Sequence, residues 1–331
     1  MRNCYSMTAR GERASRKSMI KIKTKAAYVG EVVIPAVRVN NVNRLETVCN
    51  GVRVKILDQQ EHNINPFEVL DEKYLLGLPA AKVSGVASVV MFSVIEYLAF
   101  LQEKLNIKNV NDKGYVILIV NVKDFDNAFY NGSYFVFGNG KDMFQPLVSP
   151  DIVFHELTHS LIHNTCDLVY QGESGALNES IADCFACCLE FYIYEKYNTN
   201  ESKEDDIDMM PNFFLGEQVI YSNYGKYLRN LVNPLECRQP MKYKGQYWAD
   251  TQSTVDNGGV HINSGVPNHM FYLLCDNLDR SKAIQLLFRV MMRLSSKATF
   301  KEYAVALQNL VHVEDYGALM YSLNVVGLFR L

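Results

Sequence analysis

The run Phe154-His155-Glu156-Leu157-Thr158-His159 sets two imidazoles four residues apart, with a carboxylate beside the first. On a helix, residues four apart share a face, so His155 and His159 can point at one zinc ion. Glu156 is offset enough to reach a water held by that ion. By itself the pattern is only moderately specific, because it can arise by chance on any surface helix. The flanks argue against a surface: Val153, Phe154, Leu157, Leu161 and Ile162 are apolar, and two buried histidines without a partner are costly. A catalytic zinc takes three protein ligands and keeps a fourth position open. The third ligand is expected on a second helix, in Gly175-Ala176-Leu177-Asn178-Glu179-Ser180-Ile181-Ala182-Asp183. There Glu179 can bind zinc, and Asp183, four residues on, can accept the free ring N–H of a ligand histidine. In isolation Glu179 reads as a solvated helix carboxylate. His163 continues the four-residue spacing, but one more turn rotates it away from the metal, and Glu179 fills that coordination place.

Residues 155–183, HELTHSLIHNTCDLVYQGESGALNESIAD, resemble the active-site segment of thermolysin-like zinc metallopeptidases. Three further stretches follow that family's motifs in the same order. Asp126-Asn127-Ala128-Phe129-Tyr130-Asn131-Gly132 resembles its substrate-binding edge strand, and Tyr227-Leu228-Arg229-Asn230 the stretch with its substrate-binding arginine. Asp256-Asn257-Gly258-Gly259-Val260-His261-Ile262-Asn263-Ser264-Gly265 resembles its catalytic histidine segment. The resemblance covers roughly residues 80–280 well and the early strands loosely.

The resemblance implies an active endopeptidase that cuts internal peptide bonds. Glu156 would be the general base, His261 and Tyr170 the oxyanion donors, and Asp256 the group orienting His261. Asn127 and the backbone of Ala128 would hold the peptide as an added strand, and Arg229 would bind the carbonyl past the cut. The family's pocket for the residue after the cut is apolar; Phe144, Leu147, Ile152, Leu215, Val219 and Leu228 fall at or near it, so large apolar side chains are expected there. Behind the zinc helix the family binds a calcium pair. Here Asp151, Glu190 and Glu217 match three of its carboxylates, and Asn212 and Phe214 stand at two other acidic positions. Two dications need more negative charge than three carboxylates supply, which predicts one calcium, with Asp205, Asp206 or Asp208 as extra ligands. Two other readings stay open: an inactive relative that keeps zinc as a structural or peptide-binding site, and an exopeptidase or specialised effector with one protein target. Loss of Glu156 or His261 would have marked the former, and both are present.

The elements that must position these groups read as α+β. The resemblance implies a two-domain metallopeptidase with a β-rich α+β N-terminal half, a mainly helical C-terminal half and a cleft between. Residues 27–57 alternate apolar and polar in short runs, as strands do. Gly85 to Leu101 is an apolar run that contains Glu96 and meets Gln102-Glu103-Lys104; it is short of the roughly 20 apolar residues of a membrane span and reads as a buried helix. Tyr115 to Val120 and Tyr134 to Phe137 are β-rich. From Ser149-Pro150-Asp151, a helix-start signature, helical patterns dominate at 150–164, 176–196, 213–232, 264–276, 280–295 and 300–310. The acidic segment 195–211 reads as a surface loop. The expected division is a basic N-terminal extension over 1–26, an α+β unit over 27–149 and a helical unit over 150–331.

Composition narrows the classes. A chain of 331 residues, 48% apolar, can bury a sizeable core. A net charge of −3 with mixed signs lacks the basic footprint of a nucleic-acid binder. Eight basic residues between Arg2 and Lys25 face a single acid, Glu12, and read as a solvated tail leading into a first strand. No apolar run follows them, so a cytoplasmic protein, or one released without a classical signal peptide, is expected. His155 stands where it would in a mature enzyme, leaving no room for a long prosegment. The eight cysteines, three of them at 184, 187 and 188, read as small buried hydrophobes. A monomer acting on peptides or proteins is expected.

Overall fold

The computed structural model describes residues 17–26, 30–68, 70–108, 110–197 and 210–329. Its first half is built of strands: β1 (Lys17–Ala26), β2 (Gly30–Val39), β3 (Val42–Arg44), β4 (Glu46–Cys49) and β5 (Val52–Asp58). Two short helices, α1 (Gln59–His62) and α2 (Glu72–Gly77), lead to the long α3 (Gly85–Leu105), followed by β6 (Tyr115–Val122), β7 (Ala128–Tyr130) and β8 (Phe135–Gly138). The basic segment was expected as a solvated tail over 1–26, but residues 17–26 form a strand. β1 pairs antiparallel with β2 along its whole length and leaves Lys21 and Lys23 exposed while Ile20 and Ile22 pack on the core. Alternation overrides charge there, because a half-buried strand needs only every second residue apolar.

The second sheet has the order β4-β5-β6-β8-β7. β5, β6 and β8 run parallel, and β7 pairs antiparallel with β8, which leaves β7 at the edge. The central strands are buried on both faces, as their continuous apolar runs require. α3 lies against this sheet. Ser84 caps it by accepting the N–H of Ala87 at 3.2 Å, and Asn106 ends it in the left-handed region. By length and composition α3 could cross a membrane, but most of it is buried inside the fold. The Tyr97 hydroxyl sits 3.0 Å from Thr158 Oγ1 and its ring stacks on Phe154, which fixes the back of the next helix.

The second half is mainly helical: α4 (Pro150–His163), α5 (Gly172–Tyr197), α6 (Asp256–Asn263), α7 (Gly265–Asn277), α8 (Arg280–Met291), α9 (Phe300–Leu310) and α10 (Tyr316–Val325). The helical pattern read over 213–232 is not a helix. Phe214–Leu215 (β9) pairs with Arg229–Asn230 (β10), with turns between. Asn212 accepts the N–H of Phe214 at 2.7 Å, a local bond that competes with a helix start. Gly216 sits at φ +79°, and its N–H is donated to Asp151 at 2.6 Å rather than to a helical carbonyl. One apolar core runs through both halves and includes residues of α3, α4, α5 and the strands.

Candidate metal centre and cleft

α4 carries His155, Glu156 and His159 at its middle, and α5 packs against it with Glu179 turned inward. The Nε2 atoms of His155 and His159 lie 3.0 Å apart. Glu179 Oε2 is 3.5 Å from the first and Oε1 is 3.5 Å from the second. Among the described residues this is the one group of three His, Cys, Asp or Glu side chains whose donor atoms all fall within 4.8 Å of one another. Each imidazole is held from behind. His159 Nδ1 is 2.8 Å from Asn178 Oδ1, and His155 Nδ1 is 2.9 Å from Asp183 Oδ1. An amide oxygen only accepts, so the His159 proton sits on Nδ1 and its Nε2 presents a lone pair inward. Asp183 in turn accepts from Asn268 at 2.8 Å and faces Arg229 Nε at 2.9 Å.

Burial works against charge on His155, but Asp183 and Glu179 outweigh it and raise the ring to about 10. Burial and the neighbouring His155 push His159 down to about 4, since two cations cannot share that space. Burial also works to raise Glu179, yet His261 and the two facing imidazoles hold it well below the usual carboxylate range. Two imidazoles and one carboxylate converge on one point as electron-pair donors. A dication stabilises such a set, and the set fits a zinc that keeps a fourth place open.

Around this point stand the other residues named from the sequence. Glu156 is nearly buried, and that burial lifts its carboxyl to about 7. The Tyr170 hydroxyl hydrogen-bonds Glu179 and lies 3.0 Å from His261 Nε2. Asp256 accepts from His261 Nδ1 at 2.6 Å and from its backbone N–H at 3.0 Å. That clamp needs an unusual backbone: Asp256, Asn257, Gly258 and Gly259 are all in the left-handed region. A Cβ at Gly258 would meet Thr251 O at 2.4 Å, and one at Gly259 would meet Ala249 Cβ at 2.3 Å. Only glycine fits both. Arg229 pairs with Asp183 and lies 3.5 Å from Glu179, inside the cleft rim.

One cavity of about 740 Å³ collects Asn127, Ala128 at the start of the edge strand, the zinc trio, Glu156, Tyr170, Arg229 and His261. Of the residues expected in the apolar pocket, Phe144, Leu147, Ile152 and Leu228 line this cavity. Leu215 and Val219 are buried outside its lining. The acids matched to the calcium site form no second group of three among the described residues. Asp151 accepts the N–H of Gly216, and Glu217 accepts from Asn212 at 3.3 Å. Glu190 is fully buried on α5. Asp205, Asp206 and Asp208 lie outside the described residues. His269 Nδ1 faces Leu231 O at 3.1 Å and is not among the residues lining the cavity. Sequence reasoning missed Asn178. Its position one residue before Glu179 was the available signal, but nothing local shows that its amide turns onto His159.

This fold and donor set define a metallopeptidase class, and comparison with known proteins narrows it. Residues 50–163 match the family model "Thermolysin metallopeptidase, catalytic domain", and residues 166–326 match "Thermolysin metallopeptidase, alpha-helical domain". The chain belongs to the thermolysin metallopeptidase family. It is 34% identical to Bacillolysin of Bacillus cereus over 182 residues, 54% of this chain and 29% of that protein. Neutral protease NprE of Bacillus pumilus is 32% identical over 211 residues, 62% of this chain and 63% of that protein. The chain thus spans less than two thirds of the length of these curated relatives. Among solved structures, the precursor of protealysin, a metalloproteinase from Serratia proteamaculans, superposes with a TM-score of 0.69 at 24% identity, covering 86% of this chain and 89% of that one. That likeness is one of fold.

Proposed function

We propose that this chain is a zinc-dependent endopeptidase that hydrolyses internal peptide bonds and favours Leu, Phe, Ile or Val on the amine side of the cut. The observation that carries the proposal is convergence: a buried carboxylate, two hydrogen-bonding groups and a dication-binding trio face one cavity beside an edge strand.

His155, His159 and Glu179 would hold a zinc ion, which when bound would supply a Lewis acid to acidify water and polarise the scissile carbonyl. The chain's own groups do the rest. β7 takes the substrate as an added strand, with Asn127 and the Ala128 backbone at its edge. Phe144, Leu147, Ile152 and Leu228 take the apolar side chain, and Arg229 receives the carbonyl on that side. Glu156 removes a proton from the attacking water and later gives it to the departing amine nitrogen as the C–N bond breaks. Tyr170 donates to the oxyanion that forms, and His261, oriented by Asp256 at Nδ1, hydrogen-bonds it through Nε2.

The test is hydrolysis of a denatured protein mixture by the metal-stripped and zinc-reloaded protein. Stripping should abolish internal cuts and zinc should restore them, mostly before large apolar residues; each extra apolar group filled is worth roughly 1–3 kcal/mol in selectivity. Undiminished hydrolysis without metal, or cuts dominated by charged residues at that position, would overturn it.

A further inference from the structure

His163 and Asp167 are not used by the mechanism, yet both line the same cavity as the zinc trio. His163 Nδ1 lies 2.8 Å from Asp167 Oδ1, and both side chains are more than half exposed. We infer that this pair is a specificity determinant that selects a lysine or arginine one or two residues before the scissile bond. The inference rests on the proposed peptidase activity.

Position along α4 sets the side. Ile152, in the apolar pocket, precedes His155 by three residues, roughly 4.5 Å along the helix axis; His163 follows His159 by four, roughly 6 Å. The metal centre therefore lies between them. If the Ile152 end takes the amine-side residue, the His163 end faces the acyl side. An extended peptide advances about 3.3 Å per residue, so 6 Å is about two residues. Tyr130 and Gly132, at and just beyond the far end of β7, line the cavity at this end.

The chemistry is that of a cation site. With Nδ1–H donated to Asp167, the His163 ring offers Nε2 as an acceptor beside the carboxylate. The Tyr130 ring stands against His163, centroids 6.2 Å apart, and bounds the pair on one side. The pair sits at the C-terminal end of α4, where the helix dipole favours positive charge. Countercharge is scarce: among the described residues, His163 is the one ion-pair partner of Asp167. Lys113 reaches Gly132 O at 3.5 Å but is paired with Glu72. Asp167 holds φ +47° where the chain leaves the helix, and its N–H is donated to Ile162 O at 2.9 Å. Asn tolerates that conformation too, so Asp167→Asn removes the charge and keeps the turn.

The experiment uses internally quenched peptides with leucine after the cut and lysine, alanine or glutamate at the first and second positions before it. Lysine should exceed glutamate in kcat/KM by about 5-fold, the upper end for an exposed ion pair. Asp167→Asn should erase that ratio and leave the alanine peptide unchanged. The same peptides titrated by fluorescence anisotropy onto zinc-loaded Glu156→Gln protein give the ratio without turnover, so failure of the activity and failure of this inference are distinguishable. Equal binding of the lysine and glutamate peptides, or a lysine preference that survives Asp167→Asn, overturns the inference.

Discussion

Asn178 and Asp183 fix the metal centre as firmly as the ligands do, because each pins one ring nitrogen and so dictates where the other points. An imidazole free to rotate about its bonds loses part of its binding free energy to ordering. Asn178→Ala should therefore weaken zinc about 10- to 100-fold, the usual effect of losing such a partner, as read by competition with a fluorescent chelator. Unchanged affinity would mean that packing alone orients His159. Glu156→Gln separates binding from chemistry. Glu156 is not among the three converging donors, so zinc affinity should hold while turnover falls about 10²-fold or more, the scale of general-base catalysis. Near-full activity in that variant would refute the assigned mechanism.

At the scale of elements, the edge strand and the pocket wall are tied together by one side chain. Asp126 accepts the backbone N–H groups of Lys141, Asp142, Met143 and Phe144 at 2.6, 2.7, 2.9 and 3.3 Å. The segment it gathers carries Phe144, a wall of the apolar pocket, and Asp126 itself begins the run into β7. Partial burial tends to raise its pKa, but four N–H donors hold the carboxyl below the ordinary value. A carboxyl lowered in the folded state stabilises above its unfolded pKa, and that contribution is lost as pH falls through the folded one. Asp126→Ala should speed amide hydrogen exchange at residues 141–144 at neutral pH and raise KM more than it lowers kcat. Acidification of the wild type below the carboxylate range should speed the same amides. Exchange confined to other segments would show that the loop is held by its own packing.

Over the whole molecule, a carboxylate buried behind α4 links stability to bound ions. Asp151 is almost fully removed from water, and burying a carboxylate is costly unless something offsets its charge. The single calcium expected from the sequence is one such offset. Melting the zinc-loaded protein over a calcium series tests it: an ion that binds only the folded state adds about 2.7 kcal/mol at a hundredfold excess over its dissociation constant. The midpoint should rise with calcium, and Asp151→Asn should abolish the rise. No shift at millimolar calcium would mean that protein groups such as the Gly216 N–H carry the neutralisation.

A four-residue spacing was enough to set His155, Glu156 and His159 together, because one helix turn brings such residues together whatever surrounds the helix, whereas Glu179 of a second helix reads as a ligand only beside them. The long apolar helices and central strands were legible for a similar reason: burial selects continuous hydrophobic runs. The segment 213–232 was not legible, since Gly216 donates its N–H to Asp151, 65 residues earlier in the chain. Nor was the strand at 17–26, whose lysines hide a half-buried alternation that only pairing with β2 makes favourable. Asn178, the clamp of Asp126 and the facing of His163 and Asp167 into the cleft belong to the tertiary structure alone. A short-range pattern sets what one helix can present; which amide or carboxylate meets it depends on how separate elements pack, and no local spacing encodes that.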